Sequence, residues 1–110
     1  MAEIIVDRIL WTDSAKLSFN KIVKYLKKTW SDRETVKFVK QTTEVLSTLQ
    51  RFAEMCRPSL KRKNVRIALL NNHTQMVYYY KPGTKQIDVL LFWGMKQNPA
   101  KFNYKTILSG

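Results

Sequence analysis

Two consecutive segments in the first half of the chain have apolar residues at helical spacing, and strand-forming segments flank them on both sides. In the first of these segments, apolar residues recur at spacings of three and four, and lysines occupy most of the other positions. Ser31–Glu34 (Ser-Asp-Arg-Glu) matches a capping box, in which a serine hydroxyl and a glutamate carboxylate satisfy amide groups at a helix start. The sequence therefore predicts one helix over residues 14–29 and a second from Asp32 to about Glu54. Because the connection between them is so short, we expect them to form an antiparallel hairpin.

Runs of β-branched and aromatic residues predict four strands around this hairpin. One strand precedes it, at residues 4–11, and the other three are Val65–Leu70, Gln75–Lys81 and Gln86–Trp93. Short turns join these three strands, which predicts an antiparallel meander. Pro82-Gly83 predicts a type II turn with a positive φ at the glycine. The last strand is apolar on both faces, so we expect it inside the sheet, beside the N-terminal strand.

The predicted fold is a single α+β domain over residues 1–110, because a chain of 110 residues builds one hydrophobic core. It comprises an N-terminal strand, an antiparallel helical hairpin and then a three-stranded antiparallel meander, with the helices packed on one face of the sheet. The opposite face is open to two interpretations. It is either uncovered, and then a candidate partner site, or closed by the chain that follows Gly94.

Positive charge is concentrated in the second half of the chain. Lys and Arg number 20 against 8 Asp and Glu, for a net charge of +12. Residues 55–110 contain ten of these bases and a single acid, Asp88. Such a balance favours a nucleic acid, an anionic membrane surface or an acidic protein as partner. The densest basic segment consists of Arg57, Lys61, Arg62, Lys63 and Arg66.

Conventional catalytic and metal-binding sets are nearly absent from the sequence. The single histidine, His73, falls in a predicted turn, and the single cysteine, Cys56, excludes an internal disulfide and a cysteine-built zinc site. One acid in the second half leaves no carboxylate pair there, and the three glycines form no phosphate-binding loop. We therefore expect no metal and no cofactor. The apolar runs are too short to span a membrane and no secretory signal is visible, so we expect a cytoplasmic location.

Phosphate-directed chemistry is what the remaining residues suggest. Lys and Arg stabilise charge that develops on a phosphorane, and tyrosine moves protons when its surroundings tune it. Tyr78–Tyr80 lie on the strand predicted to face Arg66. The alternative is that these tyrosines are core residues or cross-strand pairs.

The order of elements, together with several residues, resembles the RelE/ParE superfamily of bacterial toxins, also called plasmid stabilisation proteins. The similarity covers Val6–Phe102. Its most specific part is Lys96–Lys101 (Lys-Gln-Asn-Pro-Ala-Lys), which is similar to the Arg-Gln-Asn-Pro ending common in this group, with lysine where arginine is usual. The other residues that carry it are Trp11 followed by Thr-Asp-Ser-Ala, Ile22, Tyr25, Leu26, Val65, Arg66, Tyr78–Tyr80, Ile87–Leu90, Phe92 and Trp93.

The resemblance implies a small basic toxin that arrests growth and is neutralised by a cognate antitoxin, whose flexible and often acidic segment folds around it. It also implies one of two targets: RelE-like members cleave messenger RNA in the ribosome, and ParE-like members poison DNA gyrase. If the chain is a nuclease, the catalytic candidates are Lys61, Lys63, Arg66 and Tyr104. The candidates for binding nucleic acid or another target are Arg57, Lys61, Arg62, Lys63, Arg66, Tyr78, Tyr80 and Lys96.

The long helical hairpin and the lack of an acid–base set favour the ParE-like, gyrase-directed mode over catalysis. A ribosome-dependent endoribonuclease is the alternative, with Arg66 stabilising the phosphate. A third hypothesis is a non-toxic nucleic-acid-binding domain, although the order of elements fits neither an RRM nor a double-stranded RNA-binding domain.

Overall fold

The computed structural model describes residues 6–58, 64–71 and 73–94. Within these ranges it is an α+β domain, as the sequence predicts. The elements in chain order are β1 (Arg8–Trp11), α1 (Asp13–Thr29), α2 (Asp32–Leu49), β2 (Arg57–Pro58), β3 (Val65–Asn71), β4 (Thr74–Lys81) and β5 (Gln86–Gly94).

The strands form one mixed sheet in the order β1-β5-β4-β3-β2. The predicted meander is confirmed, since β3, β4 and β5 pair antiparallel. β5 lies inside the sheet with β1 as its neighbour, also as predicted. β1 pairs parallel to β5, with Ile9 opposite Ile87 and Trp11 opposite Val89. A parallel pair needs a long crossover connection, which here consists of everything between the two strands.

The structure differs from the predictions after α2, where the helix ends earlier and an additional short strand follows. α2 ends at Leu49 instead of near Glu54, although Ala53 keeps the helical spacing and is fully buried. Ala53 reaches the core from a turn after the helix, in which the amide of Phe52 still donates to the carbonyl of Thr48 at 2.9 Å. The two-residue strand β2 was not predicted, because so short a segment carries no periodic signal.

The turn between β4 and β5 does not have the predicted conformation. No described glycine has a positive φ, so a type II turn at Pro82-Gly83 is wrong. The left-handed residue is Lys85, with a φ of 52°. Its carbonyl accepts the amide of Asp7 at 2.8 Å, which fastens the chain entering β1 to this turn.

Both helices pack on one face of the sheet, where aromatic rings from four elements meet. Phe19 of α1 lies 5.3 Å from Trp11, 5.2 Å from Phe38 and 5.1 Å from Phe92, measured between ring centroids. Such ring pairs contribute about 0.5–1.5 kcal/mol each beyond the area they bury. This cluster joins the helical hairpin to β1 and β5.

The opposite face of the sheet has a second, smaller apolar cluster. Val65, Val77 and Leu90 are at most 2% exposed and form its centre, and the cluster contains no helix residue. Exposed apolar side chains on this face are found at its edge, where Leu69 is 60% exposed and Leu10 44% exposed. A wholly uncovered face, the first of the two interpretations, is therefore not what the structure has.

Polar contacts fix the start of α1 on the sheet. The Thr12 hydroxyl accepts the amide of Ala15 at 3.1 Å as the N-cap and donates to the carbonyl of Val89 at 2.9 Å. Six residues further on, the Ser18 hydroxyl accepts the amide of Phe92 at 3.0 Å. The cap of α1 and a side chain from its second turn therefore both bond to the backbone of β5.

We expect Thr12→Ala to lower the free energy of unfolding by about 2 kcal/mol, because it removes both the cap and the contact to β5. Urea denaturation followed by circular dichroism measures this. Ser31→Ala is the matched control, since Ser31 caps α2 by an exposed bond of 3.3 Å and should cost only about 0.5–1 kcal/mol. An equal cost for the two variants would contradict the role of Thr12 at β5.

Candidate functional site

The basic segment belongs to the hairpin formed by β2 and β3, which we call the basic hairpin. Pro58 pairs with Arg66 in this hairpin, so the chain between them forms its connection. Lys61, Arg62 and Lys63 stand in that connection and lie outside the described residues. The side chain of Arg57, and the whole of the candidates Lys96 and Tyr104, also lie outside them.

Arg66 is the one basic candidate whose side chain is described, and its guanidinium is engaged within the protein. Its Nη1 donates to the carbonyl of Cys56 at 2.7 Å and to that of Glu54 at 3.1 Å. Its Nη2 lies 3.4 Å from the Glu54 carboxylate, and the side chain is 19% exposed. Arg66 therefore fastens the turn that follows α2 to β3.

Tyr78 and Tyr80 are core residues, 0% and 4% exposed. The Tyr78 hydroxyl donates to the carbonyl of Ala53 at 2.8 Å, and so holds the same turn that Arg66 holds. Burial raises the pKa of both tyrosines, and the neighbouring Cys56 adds to the rise at Tyr78. Neither ring offers a surface to a target, so we assign both to the core instead of to a binding site.

Cys56 completes this arrangement and is half-buried. Burial raises the pKa of its thiol, while a hydrogen bond with Tyr78 and the charge of Arg66 act in the opposite direction. We call Arg66, Tyr78 and the turn at residues 53–56 the turn anchor. Its members hold carbonyl groups and one another, so it positions the basic hairpin.

Other polar residues of the described second half are also engaged in structural contacts. Asp88, its single acid, lies 3.0 Å from the Lys81 ammonium and accepts the Gln86 amide at 2.7 Å. His73 is exposed in a turn, with its backbone amide donating to the Asn71 side chain at 2.7 Å. No group of histidine, cysteine and acidic residues suited to a metal occurs in the ranges the structure describes.

The sequence could not reveal the turn anchor. The partners of Arg66 are backbone carbonyls, and no side-chain motif indicates such a partner. They lie 10 and 12 residues away along the chain. The one available signal was the prediction that Tyr78–Tyr80 lie on the strand facing Arg66. The register confirms it and places Arg66 opposite Tyr78. In the part of the chain that is described, no helix is long and apolar enough to cross a membrane.

Comparison with solved structures shows where this fold occurs. It is similar to a structure from a chromosomal ParDE toxin-antitoxin system of P. aeruginosa, with 21% identity, a TM-score of 0.66, and coverage of 83% of this chain and 96% of that one. It is also similar to the toxin-antitoxin complex RelBE2 of Mycobacterium tuberculosis, with 13% identity, a TM-score of 0.58, and coverage of 88% and 100%. These likenesses show that this chain shares its fold with both structures.

The family model for the ParE toxin of the type II toxin-antitoxin system parDE matches residues 9–99. No curated protein matches the chain. Because the family match spans most of the sequence, the chain belongs to the ParE toxin family and is a toxin of a type II toxin-antitoxin system. The resemblance seen in the sequence is confirmed.

We expect Arg66→Lys to lower the free energy of unfolding by about 2 kcal/mol, because one ammonium cannot reproduce the fork that spans two carbonyls. Guanidinium chloride denaturation measures this. Glu54→Gln is the control and should cost less than about 1 kcal/mol, since the Glu54 side chain is 48% exposed. If Arg66→Lys were as stable as the wild type, the guanidinium would have no structural role.

Tyr78 should make the protein less stable in alkali. In the unfolded chain this tyrosine ionises near pH 10, whereas its raised pKa keeps it protonated in the fold, so the unfolded state loses its proton first. The free energy of unfolding should therefore fall as the pH rises above about 10.

Tyr78→Phe should remove this part of the pH dependence, at a cost of about 1 kcal/mol at neutral pH. Denaturation curves at a series of pH values measure both effects. The control, Tyr25→Phe, alters an exposed ring and should keep the wild-type profile. An unchanged alkaline profile in Tyr78→Phe would show that this hydroxyl is not the group responsible.

Proposed function

We propose that this toxin is directed at DNA gyrase by protein contact and is held inactive by direct binding of its cognate antitoxin. The observation that carries the choice of target is the engagement of Arg66. The resemblance makes this residue the phosphate stabiliser of a RelE-like nuclease, yet its guanidinium is held by two carbonyls and a carboxylate. The match to the ParE family model supports the same target.

The basic hairpin supplies the surface we propose for the target. Arg57, Lys61, Arg62 and Lys63 stay candidates for this contact, with Lys96 in the chain after β5. The turn anchor fixes both ends of the hairpin, because Arg66 bonds to the turn just before β2 while its own backbone pairs with β2. An anchored cationic loop accelerates the encounter with an acidic surface and restricts how the two proteins dock.

An acidic antitoxin segment suits the rest of the surface. The chain has a net charge of +12, and several apolar side chains are exposed on the helical hairpin and at the sheet edge. A disordered segment gains affinity by wrapping a large surface that is complementary in charge and apolar area. Both structural neighbours come from toxin-antitoxin systems, which supports such a partner.

Induced expression of the chain in bacteria, with and without the adjacent gene, tests this proposal. We expect growth arrest with a DNA damage response and intact transcripts, and restored growth when the adjacent gene is expressed. Ribosome-dependent cleavage of transcripts would instead identify a nuclease. Normal growth at high expression would contradict toxicity altogether.

A gyrase supercoiling assay with the purified toxin tests the surface. Lys61→Gln combined with Lys63→Gln should weaken inhibition by about tenfold or more, because it removes two of the cations proposed for the contact with the target. Arg8→Gln with Lys85→Gln removes the same charge from β1 and from the β4–β5 turn, and should keep inhibition near the wild-type level. An equal loss in both variants would overturn the assignment of the hairpin.

A further inference from the structure

The solvent face of α1 carries a row of lysines that the proposed contact with gyrase does not use. Lys21, Lys24 and Lys28 follow each other at spacings of three and four, which places them on one side of the helix. All three are exposed, and the buried Ala15 lies on the opposite side. We call these three residues the lysine stripe.

The lysine stripe has no partner within the described residues. The ion pairs there join other side chains, and no hydrogen bond or ring contact involves any of the three. The only acid of α1 is Asp13, in its first turn. Like charges three or four residues apart destabilise a helix by about 0.2–0.5 kcal/mol per pair. The stripe therefore carries an intrahelical repulsion that an anionic partner would relieve.

The dimensions of the stripe suit a polyanion with closely spaced charges. Lys21 and Lys28 are seven residues apart, which is about 10.5 Å along a helix. Duplex DNA carries one phosphate charge per about 1.7 Å of its axis, or about six over that length. Lysine ammonium groups on flexible stems contact phosphates as point charges, without requiring a groove or a base sequence.

The surface around the stripe does not suit a membrane or an amphipathic helix. Leu17 and Tyr25 are exposed on the same side of α1, but they are about 12 Å apart with Lys21 between them. A helix that lies on a membrane needs a continuous apolar face, and the apolar face of α1 is already buried against the sheet. An amphipathic partner helix needs an apolar groove, whereas one helix face is convex.

We infer that the lysine stripe of α1 docks on the sugar-phosphate backbone of duplex DNA, without sequence preference. The choice of DNA rests on the proposed function, because a toxin bound to gyrase meets the duplex that this enzyme holds. The contact would add to binding at the basic hairpin, since the two surfaces lie on separate elements. It gives the toxin a preference for gyrase that is already loaded with DNA.

Fluorescence anisotropy of a labelled duplex with the purified full chain tests the inference without gyrase. Binding should weaken between about 50 and 200 mM salt, with a slope of about 0.9 log units per phosphate contacted. Lys24→Gln with Lys28→Gln should lower the affinity by about tenfold or more and reduce that slope by about 2. Lys24→Arg with Lys28→Arg should keep both, because it keeps the charges.

Arg8→Gln with Lys85→Gln is the matched control, and it should lower the affinity by less than about threefold because its charges lie away from the stripe. Equal losses in the two glutamine variants would show diffuse charge attraction and overturn the inference. Absence of DNA binding by the wild type would overturn it too. So would stronger binding to single-stranded RNA, an acidic peptide or phosphatidylserine vesicles that is lost in Lys24→Gln with Lys28→Gln.

Thermal unfolding separates a binding defect from a folding defect. Lys24→Gln with Lys28→Gln should be at least as stable as the wild type, because it relieves repulsion. The supercoiling assay separates this inference from the proposed function. Inhibition of gyrase without any DNA binding overturns the stripe alone, whereas stripe-dependent DNA binding without inhibition supports the stripe and overturns the proposed target.

Discussion

The packing of Phe19 is the interaction on which the rest of the structure depends. Its ring meets Trp11 at the end of β1, Phe38 on α2 and Phe92 on β5, so one residue of α1 joins four elements. The Thr12 and Ser18 hydroxyls hold the same helix to the backbone of β5. Together they fix the rotation of α1, and that rotation turns its lysines to solvent.

A second constraint acts where the chain leaves α2. The turn anchor holds the carbonyls of residues 53–56 with the guanidinium of Arg66 and the hydroxyl of Tyr78. A cation and a phenol that suggest catalysis in the sequence are thus used to position a loop. The proposal of a protein-directed target rests on these structural roles of Arg66 and Tyr78.

The two cationic surfaces have different origins in the fold. The basic hairpin is anchored from within, and its charges follow one another in the chain. The lysine stripe arises because α1 buries one side, so that every polar position on the other side is left to solvent. A net charge of +12 on one small domain is therefore distributed over separate elements, which would let the proposed protein target and the proposed DNA contact be engaged together.

Local sequence determined the helices, the meander and the family, because periodicity, capping residues and turn residues act over a few positions. Ser31 caps α2 as its capping box predicts, and β3, β4 and β5 lie where their β-branched runs are. Only the tertiary structure decided the parallel pairing of β1, the burial of Tyr78 and the partners of Arg66. Each of these depends on atoms brought together from distant parts of the chain, and backbone carbonyls, which every residue has, leave no trace in the sequence.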